Sequence, residues 1–218
     1  MVGRRPPHQR RLAGWSPVST GWPCAVAVAC LLALIASLTP AAATAAANTK
    51  ATRYTPFGPD GQINPDLQLV PRTGGDCWTS SSVTRRHDAW RCSEHNVIRD
   101  PCFLGADPQS VVCPIDGPFS GRAVLLGVIS GLHSSMAGTD APSPPWALEL
   151  VDGRQCTFAD GATTAIGRLR LNYVCSTGRR ALWGNPKTAT ASWTILQGSP
   201  GARRRSQLRP VAITSAWF

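Results

Sequence analysis

The chain has 218 residues, of which 43% are hydrophobic and 16% charged, with 20 Gly and 19 Pro. These values exclude a polar disordered chain and a coiled coil, and the length accommodates one domain with tails rather than two independent cores. The formal net charge of +10 is not by itself a nucleic-acid signature. Arg4, Arg5, Arg10 and Arg11 precede an apolar stretch, residues 48–117 hold seven basic against eight acidic side chains, and residues 118–218 hold eleven against four. The basicity is therefore C-terminal, and 20 of the 22 basic residues are Arg, a bias that GC-rich coding produces without a polyanion partner.

Residues 1–47 read as a targeting segment. The Arg-bearing leader is followed by Ala25 to Leu38, AVAVACLLALIASL, which is short for a bilayer-spanning helix and suited to a signal-peptide apolar core. Ala43-Thr44-Ala45 and Ala45-Ala46-Ala47 offer the small residues a signal peptidase needs, placing cleavage after Ala45 or Ala47. No charge occurs between Arg11 and Lys50, so an uncleaved membrane anchor is the alternative. Either way the expected location is extracytoplasmic, and the membrane is met only through this segment.

Residues 48–75 contain Pro56, Gly58-Pro59, Asp60-Gly61, Pro65 and Pro71 with few consecutive apolar residues, and read as a flexible, extended leader. From Cys77 to Pro118 the chain reads as loops and very short strands crowded with turn formers and cysteines. Arg122 to Ile129 reads as a buried strand. Trp146–Val151 and Arg154–Phe158 flank Asp152-Gly153, a two-residue hairpin turn. In LRLNYVC, Leu169, Leu171, Tyr173 and Cys175 alternate with polar residues, Val174 being the exception. Arg180–Trp183, Ser192–Gln197 and Pro210–Trp217 complete the pattern. Short strands at such spacing predict a mainly β protein: a small antiparallel β-sandwich or barrel with disulfide-stapled loops over residues 76–218, preceded by a signal helix and a flexible leader.

Six cysteines remain beyond the targeting segment: Cys77, Cys92, Cys102, Cys113, Cys156 and Cys175. An even number in an exported chain indicates disulfides. Fifteen connectivities exist, and proximity with strand pattern favours Cys77–Cys92, Cys102–Cys113 and Cys156–Cys175. A zinc site competes poorly, because no C-x2-C spacing occurs.

The segments CWT, DPCF, ALELVDGRQCTFADGAT, LRLNYVC, LWGNP, SWTI and the terminal AWF resemble uncharacterised exported proteins of high-GC Gram-positive bacteria. The resemblance spans residues 75–218 and is carried by cysteines, tryptophans and turn glycines. It implies an extracytoplasmic domain and transfers no catalytic residue.

Chemistry-bearing residues are sparse. Ser120 and Ser130 lie outside any G-x-S-x-G elbow, and His133, three residues from Ser130, reads as a loop residue. Cys92 with His87 or His95 would need a free thiol. Glu149 with Asp152, or Glu94 with Asp100, could form an acid pair of the glycosidase kind. Asp88, Glu94, Asp100, Asp107 and Asp116 match no calcium loop. Of the tryptophans beyond the targeting segment most are expected in the core, and Trp78 and Trp90, in loop-like sequence, are the candidates for any exposed, ligand-stacking indole. Arg203, Arg204, Arg205 and Arg209 form a basic loop that is either a solvated tip or a contact for an anionic envelope polymer or lipid headgroup. No catalytic residue, metal ligand or cofactor is assigned. The expected function is an exported noncatalytic binding or structural module at the cell envelope, with an anionic envelope polymer or surface glycan as partner and nucleic acid disfavoured. The alternative is a secreted hydrolase with a site assembled across loops.

Overall fold

The computed structural model describes residues 47–177 and 179–218. The segment expected from sequence to be a targeting signal lies, up to residue 46, outside the described residues, together with its apolar core and the cleavage position after Ala45.

Among the described residues thirteen strands make up nearly all of the regular structure, with 3-10 turns at Ser134–Met136 and Arg205–Gln207. After the short β1 (Lys50–Thr52) come β2 (Gln68–Ser80), β3 (Ala89–Glu94), β4 (Val97–Leu104), β5 (Ser110–Pro114) and β6 (Arg122–Gly131). These five form a meander that closes into a barrel because β2 and β6 pair in parallel, from Gln68↔Arg122 to Cys77↔Gly131. The closure needs Gly131: its φ is +95°, and a Cβ there would meet the Cys77 carbonyl oxygen at 1.9 Å.

The remaining strands are β7 (Ala147–Leu150), β8 (Gln155–Phe158), β9 (Ala165–Ile166), β10 (Leu169–Cys175), β11 (Ala181–Lys187), β12 (Thr194–Gly198) and β13 (Arg209–Trp217). Here β7, β8, β10, β11, β12 and β13 pair in ring order, and β13 returns to β7, so a second sheet also closes. The fold is thus mainly β with two barrels, where one sandwich or barrel was expected. β13 serves both sides of its ring: residues 209–212 pair with β12, residues 213–217 pair with β7, and residues 215–217 also hold β1 in parallel.

The three disulfides join Cys77 to Cys92, Cys102 to Cys113 and Cys156 to Cys175, matching the pairing expected from proximity. Each bridges neighbouring antiparallel strands, with Cα atoms 3.9–4.1 Å apart. Two of them sit inside the first barrel with Trp90, Val111, Val124 and Leu126. The second barrel encloses Leu148, Leu150, Tyr173, Leu182, Ile195 and Ile213 around the third. Between the barrels lies an aromatic seam in which Phe103 and Ala89 of the first meet Trp146 and Ala147 of the second.

The 77–118 region differs most from the loop-rich expectation, since it supplies four barrel strands. The leader segment also has structure: β1 pairs with β13, Tyr54 N–H donates to the Phe218 carbonyl at 3.0 Å, and β2 begins at Gln68. Isolated proline-rich sequence gave no local reason for this order, which comes from distant partners. In the second half the elements match the alternation in sequence: the Asp152-Gly153 turn forms with Gly153 at φ +78°, and Val174, the apolar residue out of phase, is 50% exposed.

Candidate functional site

Trp90, proposed as an exposed indole, is 2% exposed and belongs to the first barrel's core. The β3 register turns the indole inward, so Trp90 is corrected from candidate ligand contact to packing residue, the role expected of most of the tryptophans. Trp78 is half-buried, and the Arg91 guanidinium lies 5.8 Å from its ring centre.

The nucleophile candidates have structural duties. Cys92 is bonded to Cys77. Ser120 Oγ donates to the Ile115 carbonyl at 2.7 Å, and Ser130 Oγ to Asp76 at 2.9 Å. His87 Nδ1 lies 2.6 Å from Asp140 Oδ2 on an exposed surface, while His95 occupies the β3–β4 hairpin turn at φ +55° and His133 is exposed. Of the acid pairs named from sequence, neither assembles. Glu94 is held by Arg72 and Arg99, Asp100 belongs to a different network, Glu149 accepts from Ser215 at 3.2 Å, and Asp152 is taken up by Arg154.

A different carboxylate pair does assemble, across the barrels. Asp100 of β4 accepts hydrogen bonds from Ser81 Oγ at 2.5 Å, Ser82 N–H at 3.0 Å, Ser82 Oγ at 2.7 Å and Arg91 Nη1 at 3.3 Å. Asp160, just after β8, is placed 2.9 Å from Ser82 Oγ and is ion-paired with Arg91. Ser82 and Arg91 thus bridge the two carboxylates. The group clasps one barrel to the other.

The two acids are perturbed in opposite directions. Burial raises the Asp100 pKa, outweighing its serine hydrogen bonds, and the nearby Asp160 charge adds to the rise. For Asp160 burial also opposes ionisation, but hydrogen bonds from Arg91 and Ser82 prevail and lower its pKa. Linkage gives these shifts opposite signs. The folded-state pKa of Asp100 lies above its unfolded value, so its contribution is fully present below about pH 4 and is lost as pH rises through the folded value. Asp160's contribution is present above about pH 4 and is lost as pH falls through its depressed value. Asp100→Asn is therefore expected to remove a decline in stability seen above about pH 4, and Asp160→Asn to flatten the acid limb. Urea midpoints measured for the wild type and each variant across pH check both, and parallel profiles would contradict the assignment.

The basic loop is the remaining feature. Residues 161–218 contain nine basic and no acidic residues. Pairing of Ala181 with Gly198 and of Gln197 with Arg209 brings the β10–β11 turn, with Arg179 and Arg180, to the same end of the second barrel as the β12–β13 connection. Arg203, Arg204, Arg205 and Arg209 on that connection are all exposed, and none joins an ion pair among the described residues. Ala202 and Leu208 pack onto Trp183 on the outer face of the barrel, fixing the connection in place. Gln207 Oε1 accepts from the Arg203 and Arg204 amides at 2.8 and 2.9 Å. Beneath it lies a groove of about 100 Å³, with Leu169, Trp183 and Leu196 as apolar walls and the cations Lys187 and Arg205 among its lining residues. Lys187 was not singled out from sequence, although the acid-free run containing it is visible there.

Comparison with protein-family models, curated proteins and solved structures finds no match to this chain.

Proposed function

We propose that this protein is a noncatalytic binding or structural module acting outside the cytoplasm, and that the basic end of its second barrel holds an anionic polymer of the cell envelope. The carrying observation is the charge segregation: nine cations and no acid over residues 161–218, with the arginines of the β12–β13 connection exposed and outside every ion pair among the described residues. Unpaired cations on a scaffolded loop retain their full field for an incoming polyanion and lose little side-chain order to internal contacts. Three buried disulfides suit an oxidising compartment, where polyanions other than nucleic acid dominate.

The hydrolase reading draws support only from the Asp100–Asp160 pair, and its lone pairs are committed to Ser81, Ser82 and Arg91.

Sodium polyphosphate, with neutral dextran as control, is the probe. Saturable, salt-sensitive binding of polyphosphate is expected, since exposed charges are screened over about 8–10 Å at physiological salt. Replacing Arg203, Arg204 and Arg205 together by Ala should weaken binding about tenfold, each exposed charge contributing about 0.5 kcal/mol. Equal affinity of the variant, or equal binding of dextran, would defeat the proposal.

A further inference from the structure

The first barrel is not paired along its whole circumference. Strands β4 and β5 are in register only at Phe103↔Val112 and Leu104↔Val111, followed by the Cys102–Cys113 disulfide. The next residues on either side are Pro101 and Pro114. Neither has an N–H to give, so the ladder ends there. Beyond the two prolines, residues 98–101 and 114–117 flank a cleft of about 340 Å³, whose far wall is formed by Trp146, Thr157 and Phe158 of the second barrel. A second cavity of about 150 Å³, lined in part by Val174, adjoins it through Asp116 and Thr157.

Three properties of this cleft point to one occupant. The outer edge of β4 from Val97 to Arg99 pairs with β3 on one side only, leaving backbone groups of the kind to which an extended chain adds. Val97 and Ile98 stand 49% and 54% exposed beside that edge, and Val174 is 50% exposed at the adjoining cavity, an apolar rim that side chains of a pleated segment would cover. Asp116 is exposed, sits at φ +60°, and takes part in no hydrogen bond or ion pair among the described residues. The cation in the lining, Arg99, is already engaged by Glu94 at 2.8 Å. The cleft therefore offers an uncompensated carboxylate, the opposite polarity to the basic end of the second barrel. A saccharide would want an open aromatic face, but Trp146 is 2% exposed and the half-buried Phe158 ring packs against Tyr173 with the Arg170 guanidinium 5.3 Å from its centre.

We propose that the gap between β4 and β5 receives an extended peptide segment, which adds to the β4 edge at Val97–Arg99 and places a Lys or Arg side chain against Asp116. At about 3.3 Å per residue, three or four residues of the segment would lie in the gap.

The test uses the full disulfide-bonded protein and a pool of acetylated pentapeptides with central lysine and flanking positions varied over Val, Ile and Thr. Binding with slowed amide exchange at Ile98 is expected. The same pool N-methylated on alternate backbone nitrogens should lose at least about tenfold in affinity, because it cannot complete the ladder. Asp116→Asn should weaken the lysine pool about threefold, the effect of one exposed charge pair, and abolish its preference over a glutamate-centred pool. Ile98→Lys, at an exposed position, tests the edge independently and should also reduce binding. Arg203→Ala/Arg204→Ala/Arg205→Ala should leave peptide binding unchanged, which separates this site from the polyanion face. Absence of binding, equal affinity of the N-methylated pool, or displacement of the peptides by a neutral oligosaccharide would overturn the proposal.

Discussion

Replacing Cys77, Cys92, Cys102 and Cys113 together by Ala is expected to leave the first barrel unfolded at 37 °C. The two disulfides close loops with sequence separations of 15 and 11 residues, each restricting the unfolded chain by about 3 kcal/mol. Their loss would remove about 6 kcal/mol from a total stability that for most domains is about 5–15 kcal/mol. All four sulfurs are fully buried in the barrel interior, so the alanines would also leave unfilled space. The barrel spans only residues 68–131, a size at which an apolar core alone is marginal. The expected result is loss of dispersed amide resonances for residues 68–131 and a broad, weakly cooperative melt. Cys156→Ala/Cys175→Ala should cost less, about 3 kcal/mol, because the second barrel has a larger apolar interior. A sharp melt at the wild-type midpoint for the four-alanine variant would refute this reading.

Arg86→Ala is expected to destabilise the protein by about 3–5 kcal/mol, the usual effect of breaking a buried, hydrogen-bonded charge group. The side chain is 6% exposed. Its Nε donates to Asp88 at 2.8 Å, Nη1 donates to the Tyr54 carbonyl and to the Phe218 carbonyl at 3.2 Å, and the guanidinium lies 4.5 Å from the Phe103 ring centre. One cation thus joins the segment after β1, the last residue of the chain and the first barrel. Removing it takes the Arg86 donors from the Tyr54 carbonyl and the Asp88 carboxylate, and leaves the Phe218 carbonyl with the Tyr54 N–H alone. Arg86→Lys should rescue little, because an ammonium cannot reproduce the planar fork that reaches all three acceptors. Asp88→Asn should cost less, since Asp88 is 23% exposed and water can replace part of its pairing. Chemical denaturation gives the energies. Amide exchange at Tyr54, whose N–H donates to Phe218, should accelerate in Arg86→Ala before the barrels open.

Legibility in the sequence followed the range of the contacts. The second barrel's strands were readable because burial on one face leaves an alternating record, as in Leu171, Tyr173 and Cys175, and because Asp152-Gly153 marks its turn locally. The disulfide pairing was readable because each bridge spans one hairpin or short connection. The first barrel was not: β2 carries Pro71, Gly74 and Gly75, and its order depends on parallel pairing with β6, more than fifty residues away. Trp90 stood as a candidate for exposure for the same reason, lying in turn-rich sequence while in space it belongs to the barrel core. The Asp100 clasp draws on Ser81, Ser82, Arg91 and Asp160, and the step from Ser82 to Asp160 alone crosses 78 residues. No local pattern encodes it. The acid-free run over residues 161–218 needed no structure to find, but the gathering of Arg179, Arg180, Arg203, Arg204, Arg205 and Arg209 at one barrel end did.

The double duty of β13 bears on how the molecule comes into being. Ser215 of this strand is aligned with Lys50, 165 positions earlier, while its flanks knit β12 to β7. A growing chain would hold β1 without a neighbour, and the second ring open, until residues 209–217 were made. Closure of that ring thus waits for β13, and pairing between segments so distant in the chain is slow to be found.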